Sequence, residues 1–186
     1  MQRTKSASLA GFILGKFAVQ LFIVSTLVWI GTVAKAQSFF QKPPVSLSIH
    51  NPSSIQGERN RTTISIVVPS DAGSELETVV LSQLSNLDLW DWGRRAPQVY
   101  MGSYALRGGV NNGSATSSLS NAGDELTITL IPAVPPGEQV NIVFKSFNPN
   151  EGIYQWATRL IPRGSDSLGS EGPTLRLYVY RSDFIR

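Results

Sequence analysis

From residue 45 onward the chain repeats one pattern, apolar side chains at every second position in short runs. Val45, Leu47 and Ile49 alternate with Ser46 and Ser48, and Ile64, Ile66 and Val68 recur in the same way before Pro69. Leu126, Ile128 and Leu130 alternate with Thr127 and Thr129, and Val140, Ile142 and Phe144 with Asn141, Val143 and Lys145. Leu175, Leu177 and Val179 alternate with Arg176, Tyr178 and Tyr180. A period of two with β-branched and aromatic enrichment puts one face of a strand in a core and the other in water. Weaker versions at Thr78 to Leu84, Gln98 to Leu106 and Tyr154 to Ile161 predict further strands, with a short helix over Glu75 to Leu84 as the alternative for the first.

Between these runs lie residues that stop strands, as in Pro135-Pro136-Gly137 and Asn148-Pro149-Asn150-Glu151-Gly152, the latter placed to close a hairpin. Short strands, Gly/Pro turns and no sustained helical period predict an all-β fold, an antiparallel β-sandwich of the immunoglobulin-like class. Residues 37–186 are expected to form it as a single domain. Two stretches, Arg107 to Gly123 and Arg163 to Pro173, are poor in apolar residues and predict irregular segments, the first a mobile loop.

The first 36 residues differ in kind. Arg3, Lys5 and Lys16 precede or open an apolar run from Phe17 to Val33, which ends in Ala34-Lys35-Ala36, the small-x-small pattern of a signal-peptidase site. Residues 1–36 therefore read as a helical signal peptide with Gln37 as the mature start. The alternative is an uncleaved anchor, since residues 17–33 reach the lower limit for spanning a bilayer. In either case the positive flank leaves the following domain outside, in the periplasm or the exterior.

Removing the leader changes the charge. The full chain carries +3, yet four of its 16 basic residues and none of its 13 acids lie in residues 1–36. The remainder is close to neutral. Arg94-Arg95 and Arg59/Arg61 are the only close basic groupings along it, too sparse to predict a nucleic-acid face. The chain has no cysteine, so an exported domain here must hold together by its core alone. About 150 residues suffice, burying roughly 70 per cent of their unfolded surface.

Catalytic constellations are missing. The single His, His50, has no G-x-S-x-G elbow to serve, and no nucleotide-binding glycine motif occurs. One His without Cys gives no zinc or copper set, and Asn148 to Gly152 lacks the Asp density of a calcium loop. No catalytic residue, metal or cofactor is predicted. Paired carboxylates for glycoside hydrolysis depend on a separation that sequence does not give.

The aromatics are the remaining candidates. Trp90 and Trp92 flank Asp91 and would share a side of an extended segment, and Tyr154 and Trp156 repeat that spacing. Exposed, such pairs could stack on sugar rings or anchor a partner; buried, they fill a core. The candidate binding residues are therefore Trp90, Trp92, Arg94, Arg95, Tyr154 and Trp156.

The order of turns and strands also carries a resemblance. Pro135-Pro136-Gly137-Glu138-Gln139-Val140 leads into a strand, followed by Asn148-Pro149, Gly152-Ile153-Tyr154, Pro162-Arg163-Gly164, Leu168-Gly169 and the closing Leu175 to Tyr180. With Val45-Ser46-Leu47 and Val67-Val68-Pro69, this succession resembles a cyanobacterial family of exported proteins classed as a domain of unknown function. The likeness spans about residues 45–180, matches poorly from Leu84 to Asn121, and implies an exported bacterial protein with no assigned activity.

The expected function is thus a non-catalytic β-sandwich of the cell envelope that binds an envelope protein or a glycan. Membrane contact is expected only through the N-terminal segment, if it is uncleaved. The rival expectation is a carbohydrate-binding module or a hydrolase with unrecognised carboxylates. A third is an edge strand offered to a client, suggested by Leu175 to Val179.

Overall fold

The computed structural model describes residues 37–182 apart from Asn111; the leader expected over 1–36 lies outside the described residues. Nine strands follow in chain order: β1 (Ser46–His50), β2 (Arg59–Val67), β3 (Leu76–Gln83), β4 (Gln98–Met101), β5 (Gly113–Leu119), β6 (Glu125–Val134), β7 (Gln139–Phe147), β8 (Gly152–Pro162) and β9 (Ser170–Val179). All ladders between them are antiparallel.

The hydrogen-bonded order is β1-β2-β7-β4-β5-β6-β3-β8-β9. Only two residue pairs, Gln98↔Ser114 and Val99↔Gly113, join β4 to β5, so the order divides there into two layers. One layer is β1-β2-β7-β4 and the other β5-β6-β3-β8-β9. The far ends meet as well, through a parallel bridge between Ile55 and Tyr180. Without β5 and β6, the layers reproduce the ABED and CFG sheets of an immunoglobulin-like sandwich, strand for strand in chain order. The β5–β6 hairpin is an insertion between the fourth and fifth strands that widens the second sheet beside β3.

The alternating residues supply the core. Ile64 and Ile66 of β2, and Val140, Ile142 and Phe144 of β7, are buried together with Val79, Leu81, Ile128, Tyr154, Trp156 and Leu160 of the opposite layer. Each large side chain so removed from water stabilises the fold by about 1.5–3 kcal/mol.

Five expectations are corrected. Residues 76–83 form a strand paired on both sides, with β6 and β8, which leaves no place for a helix over Glu75 to Leu84. The β4 strand stops at Met101 rather than Leu106. Beyond it the Tyr100 hydroxyl accepts the Ala105 N–H at 3.0 Å and Tyr104 stacks on His50 at 3.8 Å, folding the segment back. The stretch 107–123 contains β5, whose single inward side chain, Ala115, left no alternation to detect. Likewise β9 begins at Ser170, inside the stretch expected to be irregular. Finally, Asn148 to Gly152 closes no hairpin: β7 pairs with β2 and β4, β8 with β3 and β9, so this turn carries the chain between layers.

Asn148 explains why that crossing is rigid. Its side-chain amide donates to the carbonyls of Ser53 (2.9 Å) and Ile55 (2.7 Å) and accepts from Asn51 (2.9 Å) and Asn60. It is buried, so these bonds are made away from competing water. The effect is to pin the loop 51–55 against the ends of β2 and β7.

Candidate functional site

At those strand ends the molecule carries an open groove of about 1130 Å³. Its floor comes from β2 and β7. Arg59 and Arg61 lie on the outward face of β2, on alternate residues and so about 7 Å apart. They stand opposite Phe147 and Lys145 of β7 in register. The Arg59 guanidinium sits 5.6 Å from the centre of the Phe147 ring, which holds it over an exposed aromatic face. The pinned loop contributes Pro52 and Ser53.

Two further segments wall the groove, and each docks through a glycine. Gly93 has a φ of +76° and packs so closely on β7 that a Cβ there would lie 2.4 Å from the Lys145 carbonyl oxygen. The Asp91 carboxylate accepts the Gly93 N–H at 2.8 Å and fixes the turn. Arg94 and Arg95, which follow, are exposed at the groove. On the other side Gly108, with φ +80°, leaves room for Arg61, whose Nη2 would be 2.5 Å from a Cβ. Arg61 Nη1 in turn donates to the Arg107 carbonyl at 2.7 Å.

The result is an electrostatic imbalance. Arg59, Arg61, Arg94, Arg95, Arg107 and Lys145 line the groove with Asp91 as the only acid among its lining residues. Among the described residues none of these six cations makes an ion pair, whereas Lys42, Arg163 and Arg181 elsewhere pair with Asp71, Glu75 and Glu151. Like charges repel by about 1 kcal/mol at 4 Å even in bulk water. Two buried polar atoms at the groove, Arg61 Nε and Ser146 Oγ, also have no hydrogen-bond partner among the described residues. Trp90 Nε1 and Trp156 Nε1 in the core are in the same condition, so it is the charge imbalance that distinguishes the groove.

The aromatic candidates are elsewhere. Trp90 and Trp92 are 3 % and 4 % exposed, and Tyr154 and Trp156 are fully buried. Trp90 meets Trp156 edge to face at 5.5 Å and 88°, and Trp92 meets Phe144 of the opposite layer at 5.1 Å. These rings have no free face to offer a ligand, so they form the centre of the core and not a stacking platform. Burial also pushes the Tyr154 phenol up to about 12, helped by the Asp88 carboxylate. Burial lowers the His50 pKa, and its Nε2 lies 2.9 Å from the Ser48 hydroxyl. Of the six sequence candidates, Arg94 and Arg95 alone reach the groove. Arg107 and Lys145 were missed, and Arg59 and Arg61 were seen only as a sparse pair. No sequence signal joins residues 59–61 to 145–147; the β2–β7 register does.

Two smaller features bear on other chemistry. A cavity of about 700 Å³ includes Asp88 and Glu151, but both carboxylates are engaged. Asp88 accepts from the Asn150 amide at 3.0 Å, and Glu151 pairs with Arg181. On β9 and just beyond it, Tyr178 and Tyr180 are exposed and lie parallel, 6.4 Å apart at 8°. The edge offered by β9 is closed at Tyr180, which exchanges backbone hydrogen bonds with Ser54 (2.8 Å) and Gln56 (2.9 Å). Among the described residues there is no group of three or more His, Asp or Glu side chains that could hold a metal ion, and no helix long and apolar enough to cross a membrane.

A family model described as a protein of unknown function, DUF2808, matches residues 37–177. The chain belongs to that family. The match embraces all nine strands up to Leu177 and every residue named at the groove. No curated protein matches the DUF2808 chain. Among solved structures it is similar to an uncharacterised Nocardia farcinica protein with an immunoglobulin-like fold, at 14% identity over 72% of this chain and 96% of that one, with a TM-score of 0.44. It is also similar to the RrgA Jo.In complex, at 13% identity over 73% and 78% with a TM-score of 0.45. A third is the collagen-binding domain of a Staphylococcus aureus adhesin, at 8% identity over 75% and 99% with a TM-score of 0.38. The strand order, rather than these distant likenesses, carries the fold assignment.

Proposed function

We propose that this DUF2808 chain is an exported, non-catalytic binding module of the bacterial cell envelope or exterior, and that its basic groove takes an anionic envelope component. The observation behind this reading is the gathering into one groove of six cations from four separate segments, none of them ion-paired among the described residues. Export and a cyanobacterial source belong to the proposal, resting on the leader pattern of residues 1–36 and on the order of turns and strands.

The test is retention of the full chain on an isolated envelope fraction. Retention at low salt and release at high salt are expected, because exposed charges are screened within about 10 Å at 0.1 M. Arg94→Gln with Arg95→Gln should abolish retention, whereas Arg159→Gln with Arg176→Gln, on β8 and β9, should not. Equal loss from both pairs would mean net charge alone is at work and would remove the groove from the account.

A sugar-binding surface is the second reading, supported by the parallel Tyr178 and Tyr180 rings. Neutral-glycan binding lost in Tyr178→Ala and kept in Arg94→Gln/Arg95→Gln would favour it.

A further inference from the structure

We infer that the groove accommodates an acidic polysaccharide, a glycan chain bearing carboxylate or sulfate groups along its length. The inference rests on the groove being the binding site and adds the class of ligand. Its first support is size. Pockets for single small molecules run to about 300–1,000 Å³ and enclose them; this groove is larger and open. A lone phosphate or carboxylate would use a fraction of it.

The second support is how the charge is distributed. The cations come from four segments, β2, β7 and the stretches holding Arg94-Arg95 and Arg107, with Arg59 and Arg61 spaced along a strand. That is an arrangement for successive anionic groups on an extended chain. Five of the six are arginines, whose planar fork binds carboxylate and sulfate oxygens in pairs.

The third support is apolar. Leu106 is 64% exposed and Phe147 49% exposed, and both line the groove among the cations. A sugar ring presents C–H faces between its charged substituents, which these side chains can cover. A single-stranded nucleic acid would call for a succession of aromatic platforms, where the groove has one ring.

The experiment is a titration of the full chain against polygalacturonate, dextran sulfate, unmodified dextran and a single-stranded oligonucleotide of matched charge. Saturable binding to polygalacturonate, dextran sulfate or both is expected, at least tenfold tighter than to the other two; whichever binds identifies the anionic group. Arg94→Gln/Arg95→Gln should weaken it about tenfold or more, the loss of one or two charge-assisted contacts. Phe147→Ala should weaken it several-fold. An oligonucleotide bound as tightly, and weakened by the arginine changes, would overturn the polysaccharide assignment and leave the groove in place. Indifference to Phe147→Ala would overturn the assignment in the same way. Charged-glycan binding untouched by the arginine changes, or no binding to any polyanion, would overturn groove and ligand together.

Discussion

Residues 90–95 face two ways. Trp90 and Trp92 point into the sandwich, where they touch Tyr154, Trp156 and Phe144, while Arg94 and Arg95 stand in water at the rim of the groove. A short stretch of backbone therefore joins a buried aromatic cluster to a basic surface. Gly93 is the pivot, because it lets the chain press on β7 and turn outward. The contrast teaches that local composition says little about placement: an aromatic-plus-basic string in sequence is, in space, one core element and one exposed basic element.

Cutting the core side should have the largest effect. Trp156→Ala removes a fully buried indole at the meeting point of Trp90, Trp92 and Tyr154. A loss of about 3–5 kcal/mol is expected, read as a lowered urea midpoint or as failure to fold. A loss below 1 kcal/mol, on the same scale, would mean the cluster can collapse to fill the space.

Next comes the pivot. Gly93→Ala combines a positive φ with a Cβ 2.4 Å from the Lys145 carbonyl, and should cost about 1–3 kcal/mol. It should also weaken polyanion binding, because Arg94 and Arg95 shift with the wall. Normal binding with reduced stability would separate the two sides more sharply than the structure implies.

Alkaline titration probes the core side without a mutation. The Tyr154 phenol is held up at about 12, above the value near 10 of an unfolded tyrosine. Between these values the unfolded chain has lost the proton and the folded one keeps it, so stability is full below pH 10 and declines from there to pH 12. Tyr154→Phe should remove that part of the decline in urea midpoints measured across the window.

The inward faces of the alternating strands were readable in advance; the burial of the aromatic cluster and the groove were not. Alternation at Ile64/Ile66, Leu126/Ile128 and Val140/Ile142 announces inward faces because the period of a strand is local, and the sandwich follows. Whether Trp90 and Trp92 are inside or outside depends on β7 and β8 lying across from them, which no local pattern records. β5 escaped notice because one inward alanine makes no alternation, its strand conformation being set by pairing with β6. The groove cations are dispersed over residues 59–145, and only the β2–β7 register and two glycine-docked loops bring them together. A hydrogen-bonded turn such as Asn148 to Gly152 is visible as a turn in sequence, but its crossing between layers belongs to the tertiary fold.

The smallest expected effect on stability is also the most telling. Arg94 and Arg95 are exposed and make no side-chain hydrogen bond or ion pair among the described residues. Arg94→Gln/Arg95→Gln should therefore leave the urea midpoint within about 0.5 kcal/mol of the starting protein. In the same preparation, polyanion affinity should fall about tenfold or more. Unchanged stability with lost binding is the result this account requires; unchanged stability with unchanged binding would contradict it.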